Sequence, residues 1–399
     1  MNVIKRSYCI LLSALLFGCF SKTKDGVNKT SLETEINTIK ATYAPDKRVA
    51  LFAVEAEQKD NTYIIKGESN LPDAVEALKN HLTVQHLSFT DSIKLLPGAE
   101  LGGRIYALVN NSVANIRSDP KHAAELATQA TLGTPLNILK KEGDWFLVQT
   151  PDNYISWVDE GGIISLTQEE LATWKASEKL MYTEISGFSY TNADTASQIV
   201  SDLVAGCVLE VMNEQGDFYA VKYPDGRIAH IRKSEARPYN EWLNTLRTDE
   251  ESVVETGKKL MGLPYLWGGT STKGVDCSGY TKTIYFLNGM VIPRDASQQV
   301  HTGQSIDSIA NFDDLKKGDL LFFGKKATDT SAEKVVHVGM WIGNNEFIHA
   351  SNQVRISSVD PKADNFDEFN LNRYLRTKRI LKEEDERLID LLRHPLFKD

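Results

Sequence analysis

The chain has 399 residues, 41% of them hydrophobic, and a formal net charge of -9. At about 100–200 residues per domain that length accommodates two to four domains with buried cores. No basic tract stands out, so charge excludes a nucleic-acid partner, and the acidic balance otherwise implies only solubility.

Lys5 and Arg6 form a positive start, Tyr8 to Phe17 is almost wholly apolar, and Gly18-Cys19 follows. This is the layout of a secretory signal, because the apolar run is shorter than the ~20 residues that span a membrane. Leu16-Phe17-Gly18-Cys19 resembles a bacterial lipobox, with Phe17 bulkier than the small residue usual there. That resemblance implies cleavage before Cys19, acylation of Cys19, and an exported lipoprotein held at a membrane and facing the periplasm or cell envelope. The alternative is a plain signal peptide with Cys19 incidental. Four cysteines occur, Cys9, Cys19, Cys207 and Cys277. Cys9 leaves with the signal, and two remaining cysteines far apart do not make a disulfide scaffold. A single Cys207–Cys277 bridge is the alternative to a free thiol at Cys277.

Residues 20 to about 32 are polar and read as a flexible tether. Residues 33 to about 100 carry mostly helical patterning, with a capping-box signal at Ser31-Leu32-Glu33-Thr34 and a helix from Ala74 to Leu82. From Arg104 to Ile164 the texture becomes β-rich. The spacing predicts strands at Leu136–Leu139, Trp145–Val148 and Tyr154–Val158, separated by turns at Gly143-Asp144 and Asp152-Asn153. A weaker copy follows through Cys207–Met212, Phe218–Val221 and Ala229–Ile231. Closely spaced strands with such turns predict two small β-barrels in tandem, and both resemble bacterial SH3 domains. Residues 237–248 read as a helical connector, about 249–385 as the domain that carries the chemistry, and the tail from Glu383 as a charged helix.

In that last domain Gly262 to Gly269 leads into Asp276-Cys277-Ser278-Gly279-Tyr280. Ile284, Tyr285 and Leu287 then mark an apolar face and Asn288-Gly289 a stop, which places Cys277 at a helix start. A helix N-terminus favours negative charge, so it lowers a thiol pKa, and its free N–H groups stabilise an oxyanion. Val335 to Ile342 and Glu346 to Ala350 read as a hairpin around Gly343-Asn344-Asn345, which brings His337 and His349 together. His337 is then the general base for Cys277, and His349 the group that orients it. A buried Cys or a strand His is usually packing; the combination of both with a second His is not. No metal cluster with recognisable ligand spacing and no phosphate-binding glycine loop appears, so no cofactor is expected. His122, His230, His301 and His394 read as structural or surface residues.

Pro264-Tyr265-Leu266-Trp267-Gly268-Gly269, Asp276-Cys277-Ser278-Gly279, Pro293-Arg294-Asp295, Gly318-Asp319-Leu320, His337-Val338-Gly339 and His349-Ala350 together resemble the NlpC/P60 family of papain-like wall peptidases. The resemblance covers about a third of the chain. It implies an α+β fold, with a papain-like catalytic domain preceded by two SH3-like barrels and a short helical N-terminal region. Tandem SH3 domains ahead of this domain are similar to the YkfC-type γ-D-glutamyl-L-diamino acid endopeptidases. That likeness implies cleavage beside D-glutamate in peptidoglycan-derived peptides with a free N-terminal L-alanine, for peptide recycling, by a monomer. It also implies substrate contacts at Glu125, Tyr154 and Asp295 for the amine, with Tyr265, Trp267, Asp276 and Ser278 beside the nucleophile. Related sequences often read Arg-Asp-Ser where this chain has Arg294-Asp295-Ala296-Ser297, so Ser297 is the candidate to replace that serine contact. The competing readings are a catalytically inert wall-binding lipoprotein, an endopeptidase that remodels intact peptidoglycan, and a transacylase or amidase on the same scaffold. Intact Cys277, His337 and His349 argue against the first.

Overall fold

The computed structural model describes residues 24–60 and 62–398. The signal segment and Cys19 lie outside the described residues.

The N-terminal unit begins with a helix, Lys24–Tyr43, followed by strands Phe52–Lys59 and Thr62–Ser69, helix Pro72–Val84 and strand Phe89–Leu95. The first two strands pair antiparallel, and the helix crosses over so that the third lies parallel to the second. Ala74, Val75, Leu78 and Leu82 share one helix face and close a core with Leu32, Ile36, Phe52, Tyr63 and Ile65. The helix at Ala74–Leu82 is present, but the segment is not mostly helical as its patterning implied. Phe52–Lys59 and Thr62–Ser69 alternate in burial, and cross-strand pairing overrides the helix preference of their Ala, Glu, Gln and Lys residues. Ser31–Thr34 lies inside the first helix, so it is no N-terminal cap, and that helix already occupies much of the expected tether.

Two seven-stranded antiparallel sheets follow, spanning residues 106–166 and 179–238. Their strand orders are identical once strands are matched one for one, and in each a short 3-10 turn precedes the last strand. The second is therefore a structural repeat of the first. The expected strands are all present. Each sheet curls around its own core, with Ile116, Ile138 and Val148 in the first and Leu180, Val221 and Ile231 in the second. The edge strands of each do not pair, so each small SH3-like barrel is an open, curled ladder.

Helix Tyr239–Thr245 connects to the last unit. There a six-stranded antiparallel sheet runs in the order Gln304–Asp307, Tyr374–Arg379, Leu320–Lys325, Lys334–Gly343, Glu346–Ser351, Gln353–Ser358. Helix Cys277–Leu287 lies on it, and Tyr280 and Ile284 bury against Val338, Met340, Ile348 and Ala350. The first SH3-like sheet is clasped to this unit. Gln129 N–H donates to Thr270 Oγ1 and Thr270 N–H returns a bond to Gln129 Oε1, both at 3.0 Å. Lys282 reaches Asp152 at 2.6 Å. Gly268, at φ +80°, passes so close to Leu126 that a Cβ would meet its carbonyl oxygen at 2.0 Å.

The tail is not a helix. It forms turns and a two-residue strand, Ile389–Asp390, that pairs with Met290-Val291. Its apolar residues are anchored: Leu391 and Phe397 are buried beside Tyr239, Trp242 and Leu243. Truncating the fully buried Leu391 to Ala should therefore cost about 2–5 kcal/mol. Urea unfolding checks this, and an unchanged midpoint would show that the tail adds nothing to the fold.

Candidate active site

The site starts from the cap of the helix Cys277–Leu287. Asp276 accepts from Gly279 N–H at 2.7 Å and from Gly268 N–H at 2.9 Å. Gly279 permits this turn, because a Cβ there would strike the Gly269 carbonyl oxygen at 1.9 Å. Behind the cap lies Arg294, 1% exposed, which grips Asp276 with Nη2 at 2.6 Å and Nη1 at 3.1 Å and donates to Ser278 Oγ at 3.0 Å. Asp276 and Ser278 border the cleft, but their polar atoms are committed within the protein, as the scaffold of the nucleophile.

Cys277 is thereby held at the first helical position, buried and free of any disulfide, as is Cys207. The backbone N–H groups of Val338 and Ser278 favour the charged form of its sulfur. Burial pushes the thiol up to about 12, Asp276 adds to that, and the two N–H groups and Arg294 oppose it only in part. The helix terminus was expected to lower this pKa; desolvation in the packed cleft outweighs it. The resting thiol is protonated, and the thiolate forms only as a base removes the proton.

His337 follows from the neighbouring strand, one residue before Val338. Its Nε2 lies 2.8 Å from His349 Nδ1, and His349 Nε2 lies 3.0 Å from Ser357 Oγ. The carboxylate of Asp367 lies 3.9 Å from His349 Nε2. Burial raises Asp367, but Asn370, His349 and Ser357 together hold it below its ordinary value, so it is an anion. Hydrogen-bond roles follow from that end. With Asp367 beside it, His349 Nε2 carries the proton and donates to Ser357, His349 Nδ1 accepts from His337 Nε2–H, and Nδ1 of His337 keeps its lone pair. Arg355 Nε, at 3.5 Å from His349 Nε2, is the weaker competitor. Burial, reinforced by His349, holds His337 well below its ordinary pKa, and burial takes His349 down to about 4. Both rings are neutral at neutral pH, so His337 is competent as a base.

A cleft of about 780 Å³ opens over Cys277. Tyr265 lines it half-buried, and burial keeps its hydroxyl protonated, so it donates. Trp267 is 63% exposed and lies on the rim, where its Nε1–H donates to Glu125 of the first SH3-like sheet. Tyr154, from the same sheet, is buried and donates to Asp295 Oδ2 at 3.3 Å. Asp295 and Ser297 are adjacent, but both are held by Arg48 Nη1, at 2.7 and 2.9 Å. Of the sequence-selected residues, the structure brings Glu125, Tyr154, Tyr265, Trp267, Asp276, Cys277, Ser278, Asp295 and Ser297 to one cleft, with His337 and His349 paired on the strands beside it.

Arg48, Arg294, Ser357 and Asp367 were not among them. Asp367 carried one readable signal, an acidic residue capping a short helix, Glu368–Asn372. Arg48 carried none, since its partner lies 247 residues away.

A base with a depressed pKa stays deprotonated into acid. The acidic limb of kcat/KM is expected below pH 6.5, the ordinary His value. Asp367→Asn removes the anion that sets the ring tautomers and should lower kcat by about 10²-fold or less, since the residue acts through two others. A limb at or above 6.5, or an unaffected Asp367→Asn enzyme, would contradict the assigned proton positions.

The NlpC/P60 family profile matches residues 262–367, and a bacterial dipeptidyl-peptidase SH3 domain profile matches residues 116–163. A γ-D-glutamyl-L-lysine dipeptidyl-peptidase of Bacillus cereus is 33% identical over 249 residues, 60% of this chain and 72% of the relative. Its Bacillus subtilis counterpart is 28% identical over 56% of this chain and 72% of the relative. A crystal structure of an NlpC/P60 protein from Bacillus cereus superposes with a TM-score of 0.58 at 28% identity, over 69% of this chain and 99% of that one. With its thiol, imidazole pair and capped helix in place, this chain belongs to the NlpC/P60 family and is a cysteine peptidase homologous to the γ-D-glutamyl-L-lysine dipeptidyl-peptidases.

Proposed function

We propose that the protein hydrolyses the γ-D-glutamyl–L-diamino acid bond of short peptidoglycan-derived peptides, releasing L-alanyl-D-glutamate. The observation that carries this reading is the composite cleft, in which the first SH3-like sheet supplies Glu125 and Tyr154 beside the Cys277 of the catalytic unit. A wall formed by a second unit bounds the substrate at the N-terminal side of the scissile bond, which suits a peptide end and limits its length. Glu125, exposed on the rim and bonded to the uncharged Trp267 indole, is placed to meet the ammonium of a free L-alanine. The relatives are named for the same bond before lysine.

In the first stage Cys277, deprotonated by His337 Nδ1, attacks the γ-carbonyl of D-glutamate. The oxyanion takes the N–H groups beside the sulfur, with the Tyr265 hydroxyl as a further donor. His337 protonates the leaving amine, the amide C–N bond breaks, and a thioester remains. Water, deprotonated by His337, then hydrolyses the thioester and returns the thiol.

Mass spectrometry of L-Ala-γ-D-Glu-diaminopimelate and its lysine analogue tests this. Wild type should release L-Ala-D-Glu from at least one of them and Cys277→Ala from neither. Wild type that leaves both peptides intact would overturn the assignment.

We further propose that the protein is exported and held in the envelope by lipid on Cys19. The apolar run that ends in Leu16-Phe17-Gly18-Cys19 supports this. Metabolic labelling with a fatty-acid analogue should mark the wild type and not Cys19→Ser, and equal labelling would remove the anchor.

A further inference from the structure

The wall of the cleft that carries Asp295 is crowded with charge. Asp46, Asp276 and Asp295 surround Arg48 and Arg294 there, three carboxylates against two guanidinium groups. Arg294 forks onto Asp276 and Arg48 onto Asp46. Each guanidinium thus has a carboxylate of its own, and Asp295 carries the excess negative charge. That charge suits an ammonium as long as the carboxylate is held towards the cleft.

Part of what holds it comes from outside the catalytic unit. Arg48 Nη1 donates to Asp295 Oδ2 at 2.7 Å and to Ser297 Oγ at 2.9 Å. Tyr154 donates to the same Oδ2 at 3.3 Å, and Arg294 Nη1 is 3.9 Å from Oδ1, beyond a hydrogen bond. Of these three contacts the one from Arg48 is the shortest. Arg48 belongs to the N-terminal unit, which neither family profile reaches. Its Nε and Nη2 form a fork onto Asp46 at 2.8 and 2.7 Å, which fixes the plane of the guanidinium. Gln298 Nε2, from the catalytic unit, donates to Asp46 at 2.8 Å. From the SH3-like side, Ile155 N–H donates to the Arg48 carbonyl at 2.6 Å and Gln149 Nε2 to the Val49 carbonyl at 3.3 Å. The loop is therefore tied to both other walls of the cleft, and its arginine side chain is only 33% exposed.

We propose that Arg48 is a positioning residue for the amine end of the peptide: it holds the Asp295 carboxylate towards the substrate, and the N-terminal unit is thereby a third part of the active site. This deepens the peptidase reading above and rests on it. Arg48 acts through Asp295 and not on the reacting atoms. It therefore governs how well the amine end binds and leaves the chemistry at Cys277 unchanged.

The test measures kcat and KM for L-Ala-γ-D-Glu-diaminopimelate, or its lysine analogue if that is the one cleaved, on wild type, Arg48→Ala, Arg48→Lys, Asp295→Asn and the double variant Arg48→Ala/Asp295→Asn. Arg48→Ala should raise KM by about tenfold or more and change kcat by less than about threefold. The double variant should show a KM within about twofold of Asp295→Asn alone, because the two residues act as one unit. Arg48→Lys keeps a cation but loses the fork, so its KM should fall between those of wild type and Arg48→Ala. An unchanged or lower KM in Arg48→Ala, or an unchanged KM in Asp295→Asn, overturns the proposal. So does a loss of kcat as large as the rise in KM, the mark of a disturbed fold. A double variant whose KM multiplies the two single effects also overturns it, since Arg48 would then act independently of Asp295. If Arg48→Ala does not fold, Arg48→Lys with and without Asp295→Asn makes the same comparison: its rise in KM should vanish in the Asn background, and a rise that persists there overturns the proposal. Failure of the peptidase reading is a separate result, in which wild type cleaves neither peptide.

Discussion

The site depends on a buried ion pair. Arg294 and Asp276 are both inside the protein, and each would be costly there alone, because removing one partner strands a desolvated charge. Together they do three things at once. Asp276 caps the helix that begins at Cys277, it ties down the Gly268 loop, and through Ser278 the pair locks the first helical turn. The same loop carries Trp267 and touches Leu126, so the pair that places the nucleophile also places the SH3-like wall against it.

Around that fixed thiol the electrostatics favour neutrality. Cys277, His337 and His349 are all buried, and burial penalises each charged form. The pair rests as thiol and imidazole, and charge is created only in the reaction, where N–H groups and a protonated tyrosine are already aimed. What needs fixing in such a site is the ring tautomer. The anion Asp367, 3.9 Å from His349, supplies that, and no substrate contact is asked of it.

The remaining units act as walls. Two sheets of identical strand order show that one SH3-like architecture was used twice, yet only the first meets the cleft, through Glu125 and Tyr154. The N-terminal unit closes the cleft from a third side with the loop Asp46–Val49. The cleft is thus lined by three units.

The local physics of the catalytic unit was legible in the chain. A capping acid before Cys277, an apolar helical face after it, and two histidines flanking a Gly-Asn-Asn turn are short-range patterns, and short-range patterns survive folding. The strands of both SH3-like sheets were legible for the same reason. The N-terminal strands were misread as helix because Ala, Glu, Gln and Lys prefer helix locally, and only pairing with a partner strand overrules them. The tail was misread because its charge pattern hid the few apolar anchors, Leu391 and Phe397. The thiol pKa went the other way from the helix-terminus argument, since burial is a property of the assembled cleft. Above all, the sequence by itself determined that Cys277, His337 and His349 are the catalytic candidates, while the partners of the charged groups around the cleft were decided by tertiary structure. Arg48 and Asp295 are 247 positions apart, and no pattern along the chain records that they pair.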